Sequence, residues 1–394
     1  MGRLGGTTQP GNIWTLEPYR ELRRNVMHPP NLFPPGFAIG RRSVLTTWLV
    51  ACLVSCSTGS TEVSPYPEAD AQNIDGRDLA DATAVLSQID GMRGFLVARN
   101  GVIVLEEYFN AIGPDSVMDV RSVTKSFTSA LMGIAIERGF IESTDDTLGE
   151  LFVPGVAPHL DPEKAAISIH NLLTMSGGFQ WRQGRLGSDF ADWYLSDDHV
   201  QFVLDKPMVA APGTIFAYSD GMAHLVSVVI TEATGQNADE FAAEHLFAPL
   251  GIAERTWLRG NRGYNFGGVR LQVSLRDMWK FGELYLNHGI RGGTQIVPEA
   301  WVQRSTQTYL NTNGFSPFGP EYGYFWWIGE GAPYDFYFAN GYGGQFIVVV
   351  PETNMVIVTQ CQPSGFTRDE AEMHWYTILS TVVEQVIPAA AMPR

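Results

Sequence analysis

The sequence predicts an α+β fold: an antiparallel sheet flanked by terminal helices, with an inserted all-helical lobe. Three observations predict it. Strand signals cluster at the two ends of the region after Asp75, helix signals fill its middle, and no internal repeat runs through either.

The elements follow in order. Residues 77–88 place Leu79, Ala82, Val85 and Leu86 on one helical face. Residues 94–99 and 102–109 read as strands around Asn100-Gly101, a pair that accepts the positive φ angles of a tight hairpin turn. A long helix is expected over 123–138, stopped by Gly139. Helical segments are expected at 169–175, 197–204, 222–233 and 238–246. Another, at 275–287, is opened by Ser274 with Asp277 three residues on, a capping-box-like arrangement. Strands return at 324–328, 346–350 and 355–360, and a helix over 369–386 ends the domain. A cleft between sheet and helical lobe is the natural site.

Ahead of this domain the composition changes. Residues 1–40 are rich in Gly, Pro and Asn without a sustained period and read as a disordered extension. Residues 41–56 read as an export signal, in which Arg41-Arg42 precede an apolar run over 44–54. Those eleven residues fall short of the roughly 20 that a bilayer span needs. The run ends in Leu53-Val54-Ser55-Cys56, which resembles the lipobox of bacterial lipoproteins, where the cysteine carries the lipid. The expectation is an exported lipoprotein on the periplasmic side of a membrane, anchored through Cys56. Residues 57–75 would form a polar tether and 76–390 the folded domain. An ordinary cleaved signal or a retained short anchor also fits the segment, and a start at Met27 would give a signal of ordinary length. The paired arginines permit twin-arginine export as well as the general route.

Composition narrows the class. A chain of 394 residues, 45% hydrophobic and 12% aromatic, suits a folded enzyme. A net charge of −16, with only the lysines 125, 164, 206 and 280, argues against nucleic acid as a partner. Of three cysteines, Cys52 would leave with the signal and Cys56 would be lipidated, which leaves Cys361 alone. Neither a disulfide framework nor a cysteine metal centre is expected, and the eight histidines lack metal-ligand spacing. No metal and no cofactor is therefore expected.

The chemistry centres on Arg121-Ser122-Val123-Thr124-Lys125. Ser122 opens a strongly patterned helix, and residues three apart on a helix are neighbours about 5–6 Å apart at Cβ. A serine hydroxyl is a poor nucleophile without an adjacent base. Lysine serves as that base only where its surroundings lower its pKa. Ser-x-x-Lys alone also describes a helix-capping serine followed by a surface lysine. Two further segments strengthen the catalytic reading. Ala211-Pro212-Gly213-Thr214 leads to Tyr218-Ser219-Asp220 just before another helix. Asn340-Gly341-Tyr342-Gly343-Gly344-Gln345 precedes an apolar strand, where glycines let a substrate lie against the backbone.

Ser-x-x-Lys, Pro-Gly-Thr…Tyr and a Gly-rich edge strand, in that order, resemble the class C β-lactamase and DD-peptidase superfamily. The segments 167–178 and 247–252 fit the same wording, and the resemblance covers about residues 92–385. It implies the two-lobed serine β-lactamase/transpeptidase-like fold and an acyl-enzyme mechanism. Carried over, Ser122 is the nucleophile, Lys125 its proton acceptor and Tyr218 the general acid/base. The backbone N–H groups of Ser122 and Tyr342 would form the oxyanion hole. Asp220, Trp181, Gly343, Gly344 and Gln345 would contact substrate.

Two departures select the branch. No lysine is followed by Thr-Gly or Ser-Gly, the triplet that holds a β-lactam carboxylate in the family's lactamases. Asp220 stands where those enzymes carry asparagine, and a carboxylate cannot donate to a substrate carbonyl. Both point to the carboxylesterase and 6-aminohexanoate-dimer hydrolase branch, with a small ester or amide as substrate. A D-amino peptidase or weak β-lactamase is the second reading, and a non-catalytic peptide-binding lipoprotein the third. Oligomeric state is not legible in the sequence.

Overall fold

The computed structural model describes residues 64–152, 155–183, 188–330 and 333–390. The expected extension, the export segment with Cys56 and most of the tether lie outside the described residues. Folded structure begins earlier than residue 76. Helix α1 (Pro67–Ala71) buries Ala69, Ile74 is buried behind it, and the Asp75 N–H donates to the Ala389 carbonyl at 3.1 Å. Residues 67–75 are thus part of the domain and not of the tether, because Pro67 presets the first helical turn and two apolar side chains reach the core. Asp75 then caps α2 (Gly76–Ser87) by accepting from the Arg77 N–H.

An eight-stranded antiparallel sheet organises the chain. Its strands are β1 (Met92–Arg99), β2 (Val102–Tyr108), β3 (Leu310–Asn311), β4 (Glu321–Tyr322), β5 (Trp327–Gly329), β6 (Phe336–Gly341), β7 (Gln345–Val350) and β8 (Met355–Cys361). Their order is β2-β1-β8-β7-β6-β5-β4-β3, so the first hairpin pairs with the last strand. The β1–β2 turn has positive φ at both Asn100 (54°) and Gly101 (76°), the geometry that dipeptide favours. β7 and β8 are buried along their whole length. Helices cover both faces there: α9 (Leu275–Leu286) on one side, and α2 with α10 (Arg368–Thr381) on the other.

The Gly-rich segment departs from expectation. It is not an edge strand. β6 has β5 and β7 as neighbours, and Tyr342–Gly344 form the tight turn between β6 and β7, with φ of 82° at Gly343 and 108° at Gly344. A Cβ on Gly344 would sit 2.4 Å from Ile378 Cδ1, so α10 also forbids a side chain there. The strand expected at 324–328 begins only at Trp327, because Phe325 turns through a left-handed φ of 61°.

The central helix α3 (Thr124–Glu137) is buried from Thr124 to Ala135. In the helical lobe, α4 (Ile169–Leu173), α5 (Asp189–Tyr194), α6 (His199–Leu204) and α8 (Ala238–Ala242) surround α7 (Asp220–Thr234). α7 is buried from Asp220 to Ile230 and packs on α3, which joins the lobe to the sheet. One of its buried residues sets an acid limit. Desolvation, then the neighbouring His199, pushes the His224 pKa from 6.5 down to about 3. The folded state then binds fewer protons than the unfolded chain between those values, so stability falls as pH drops below 6.5. Denaturant melts at pH 7 and 5 are expected to differ by about 2 kcal/mol from this residue, and His224→Phe should flatten that difference.

Candidate active site

Ser122 sits on a strained turn. The chain arrives through Met118–Asp119, an edge of a small three-stranded sheet with Leu271–Val273 and Thr256–Trp257. Arg121 then adopts a left-handed φ of 54°, which costs a non-glycine residue of order 1–3 kcal/mol. Asp119 holds it there. One carboxylate oxygen accepts the Arg121 N–H at 2.8 Å, while the other lies 3.4 Å from the Arg121 guanidinium and 3.1 Å from that of Arg270. A 3₁₀ turn over Arg121–Val123 leads into α3 and leaves Ser122 at the helix start, where unpartnered N–H groups and the helix dipole favour negative charge.

One turn on, Lys125 is 1% exposed and has three acceptors. Its ammonium donates to Ser122 Oγ at 3.1 Å, to Asp220 Oδ1 at 2.5 Å and to the Gly268 carbonyl at 2.9 Å. Those three bonds use all three N–H donors of a charged lysine. Burial alone would discharge it. The adjacent Asp220 carboxylate outweighs that, and the Lys125 pKa lies above its ordinary value.

Tyr218 completes the group. Its loop runs beside the Met175 turn, where Ala217 N–H donates to the Met175 carbonyl at 2.7 Å and Gly213 N–H to Ser176 at 2.8 Å. Ser219 caps α7 by accepting from the Met222 N–H, which places Tyr218 and Asp220 on either side of the cap. The Lys125 ammonium lies 4.8 Å from the Tyr218 ring centre, and the phenol lines the same cleft as Ser122. Burial raises the Tyr218 pKa, although the nearby ammonium opposes the rise, so the group is a neutral phenol at neutral pH.

Ser122 and Tyr218 open into a cleft of about 150 Å³. Phe315, Pro317 and Trp327 form an apolar wall, with Tyr218 stacked on Phe315 at 5.4 Å. Tyr342, Asn340 and Trp375 close the opposite side, and Trp375 donates to the Asn340 side-chain oxygen at 2.7 Å. An Arg368–Glu372 ion pair of 2.8 Å lies at this end of the cleft. Among the described residues no group of three or more His, Cys, Asp or Glu side chains could hold a metal, and no helix is long and apolar enough to cross a membrane.

The comparisons agree with this geometry. A family profile described as Beta-lactamase matches residues 79–381. The chain belongs to the β-lactamase family. The 6-aminohexanoate-dimer hydrolase of Paenarthrobacter ureafaciens is 24% identical over 315 residues, covering 74% of this chain and 77% of that one. Two solved structures share the fold. The octameric penicillin-binding protein homologue from Pyrococcus abyssi has a TM-score of 0.62 at 18% identity, covering 77% of both chains. EstCE1, a hydrolase with promiscuous acyltransferase activity, has a TM-score of 0.61 at 16% identity, covering 77% of this chain and 98% of that one. The protein is thus a β-lactamase-family serine hydrolase.

Within this hydrolase Ser122, Lys125 and Tyr218 are together, and Tyr342 lines the same cleft. The other expected contacts are placed differently. Asp220 does not face substrate: it is 2% exposed and faces Lys125. Gln345 is fully buried, and its amide bonds the Cys361 backbone in the sheet. Gly343 and Gly344 pack on Pro363 and Ile378, away from the cleft. Trp181 lies behind the cleft wall, against Gly221, and donates to the Gln183 side chain at 3.2 Å; Gln183 is the residue that lines the cleft. Lys125 as a ready proton acceptor also needs revision, because the structure raises its pKa where that role requires a lower one.

Two glycines were missed: a Cβ on Gly268 would lie 3.0 Å from Lys125 Nζ, and one on Gly267 2.1 Å from the Ala223 carbonyl. Gly341, already singled out in the sequence, serves a close approach, since a Cβ there would lie 2.5 Å from the Val120 carbonyl. The Gly267-Gly268 pair was the available signal, since adjacent glycines mark close backbone approach.

Proposed function

We propose that this hydrolase cleaves small carboxylic esters or amides through an ester formed on Ser122. The observation that carries the reading is the convergence of Ser122, Lys125 and Tyr218, with Ser122 and Tyr218 lining a partly apolar cleft. Ser122 Oγ attacks the carbonyl carbon, and the developing oxyanion is received by the N–H groups of Ser122 and Tyr342. Tyr218 hands a proton to the leaving oxygen or nitrogen. Phe315, Pro317 and Trp327 hold the apolar part of the substrate. Water then repeats the attack on the Ser122 ester.

A neutral substrate is favoured over a β-lactam carboxylate because, among the described residues, no lysine lines the cleft, and Arg368, which does, is in an ion pair with Glu372. The name of the Paenarthrobacter relative supports an amide bond, and the description of EstCE1 supports acyl transfer. The test is a panel of p-nitrophenyl esters of rising chain length, short anilides and nitrocefin. kcat/KM for the best ester is expected to exceed that for nitrocefin by about 100-fold or more. The opposite order would replace this reading with the peptidase or lactamase one.

A further inference from the structure

We propose that Asp220 is a positioning residue that keeps Lys125 charged and, through it, takes up the proton that Ser122 gives away during acylation. The inference rests on the Ser122 reading above and concerns where that proton goes.

Three facts converge on Asp220. Lys125 Nζ has all three hydrogens engaged, so it presents no lone pair to Ser122 until it has given a proton up. Its shortest contact, 2.5 Å, is to Asp220 Oδ1, which makes the two side chains a directly touching ion pair. Both partners are buried and in direct contact, and the Gly268 backbone packs against both: a Cβ there would meet Nζ at 3.0 Å and Oδ1 at 3.3 Å. Tyr218 offers no alternative store, because a neutral phenol already carries its proton. Among the described residues, the ionisable groups facing Asp220 are Lys125 from α3, Tyr218 from the preceding loop and Tyr322 from β4. His224 lies one turn further along α7 and is neutral above about pH 3.

The step balances. As the bond from Ser122 Oγ to the acyl carbon forms, the hydroxyl hydrogen moves to Nζ while another Nζ hydrogen moves to Oδ1 of Asp220. Lys125 remains an ammonium ion, Asp220 becomes a carboxylic acid, and its negative charge reappears on the carbonyl oxygen. When the intermediate collapses, the bond to the leaving group breaks and that group takes a hydrogen returned from Asp220 through Lys125 and Tyr218.

The test compares pH profiles of kcat/KM for one ester in the parent and in Asp220→Asn, an isosteric change. The parent is expected to be flat from roughly pH 7 to 9, because a lysine that passes its proton on as it receives one need not first lose a proton to solvent. The variant is expected to rise with pH over that range, approaching about tenfold per unit, because only its uncharged lysine fraction works. Superimposable profiles with rates within about twofold would overturn the proposal. A proton inventory on acylation by the unmutated enzyme provides a second test that needs no variant. A curved plot, from two protons moving together, is expected, and a straight line would overturn it. Fluorophosphonate labelling separates this failure from that of the underlying reading. An enzyme labelled at Ser122 but with a straight inventory loses only the relay, whereas an active enzyme unlabelled at Ser122 loses the nucleophile.

Discussion

Ser122→Ala is expected to lower kcat/KM for a short p-nitrophenyl ester by four to six orders of magnitude, to about the level left by binding and oxyanion contacts alone. The same change should move the melting temperature by no more than about 2 °C. Ser122 lines the cleft and is only partly buried, so its loss leaves no cavity and no orphaned buried charge. The strain at Arg121 persists, because Asp119 and not Ser122 holds that turn. Initial-rate assays with thermal melts on both proteins check the pair of outcomes. Retained turnover would sink the assignment, and a collapse in melting temperature would make the activity loss uninformative.

Lys125→Ala is expected to cost both activity and stability. Among the described residues, it removes the only counter-charge within a hydrogen bond of a carboxylate that is 2% exposed. Breaking one side of a buried pair typically costs 3–5 kcal/mol, because the remaining charge keeps its desolvation penalty. For a folded domain of this size that corresponds to a fall of about 4–7 °C. The double change Lys125→Ala with Asp220→Ala should recover part of the loss, since it also removes the orphaned carboxylate. Calorimetric melts of the three variants check this; equal melting of the single variant and the parent would refute it. The pH dependence has a definite sign. The Lys125 pKa in the folded state lies above 10.5, its ordinary value, so the lysine's charge contributes fully below that pH. Its contribution fades only as the pH climbs through the raised value. In neutral buffers the stability difference between parent and variant should therefore be flat.

How much of this was legible in the sequence differs by element. The β1–β2 hairpin was, because Asn100-Gly101 encodes its turn locally. So were α3, α7 and α9, whose apolar patterns and caps depend on nearby residues. The serine, lysine and tyrosine were legible only as a set, with motif order doing what spacing could not. Short strands β3, β4 and β5 were not legible as a group, since two or three residues give no period to read. The Gly341–Gln345 segment misled in a specific way. Its glycines serve a turn and a close approach to Val120, and both depend on partners far away in the chain. Asp220 misled for the same reason: a carboxylate next to a motif tyrosine reads as exposed chemistry until a lysine 95 residues earlier is found against it. The cleft wall, with Phe315 and Trp327, was invisible because loops bring it together.

The sheet order has a consequence for synthesis. β1 emerges early from the ribosome, yet its inner partner β8 is made some 260 residues later: Val97 pairs with Ile357. Until then the nascent hairpin β1–β2 has one open, apolar edge and nothing to close it. Such long-range pairing is slow, because loop closure is costly before any contact repays it. The half-made chain therefore carries an unpaired strand edge along Met92–Arg99 for most of its translation. Messages truncated before β8 should give chains that accumulate as aggregates and not as partly active enzyme.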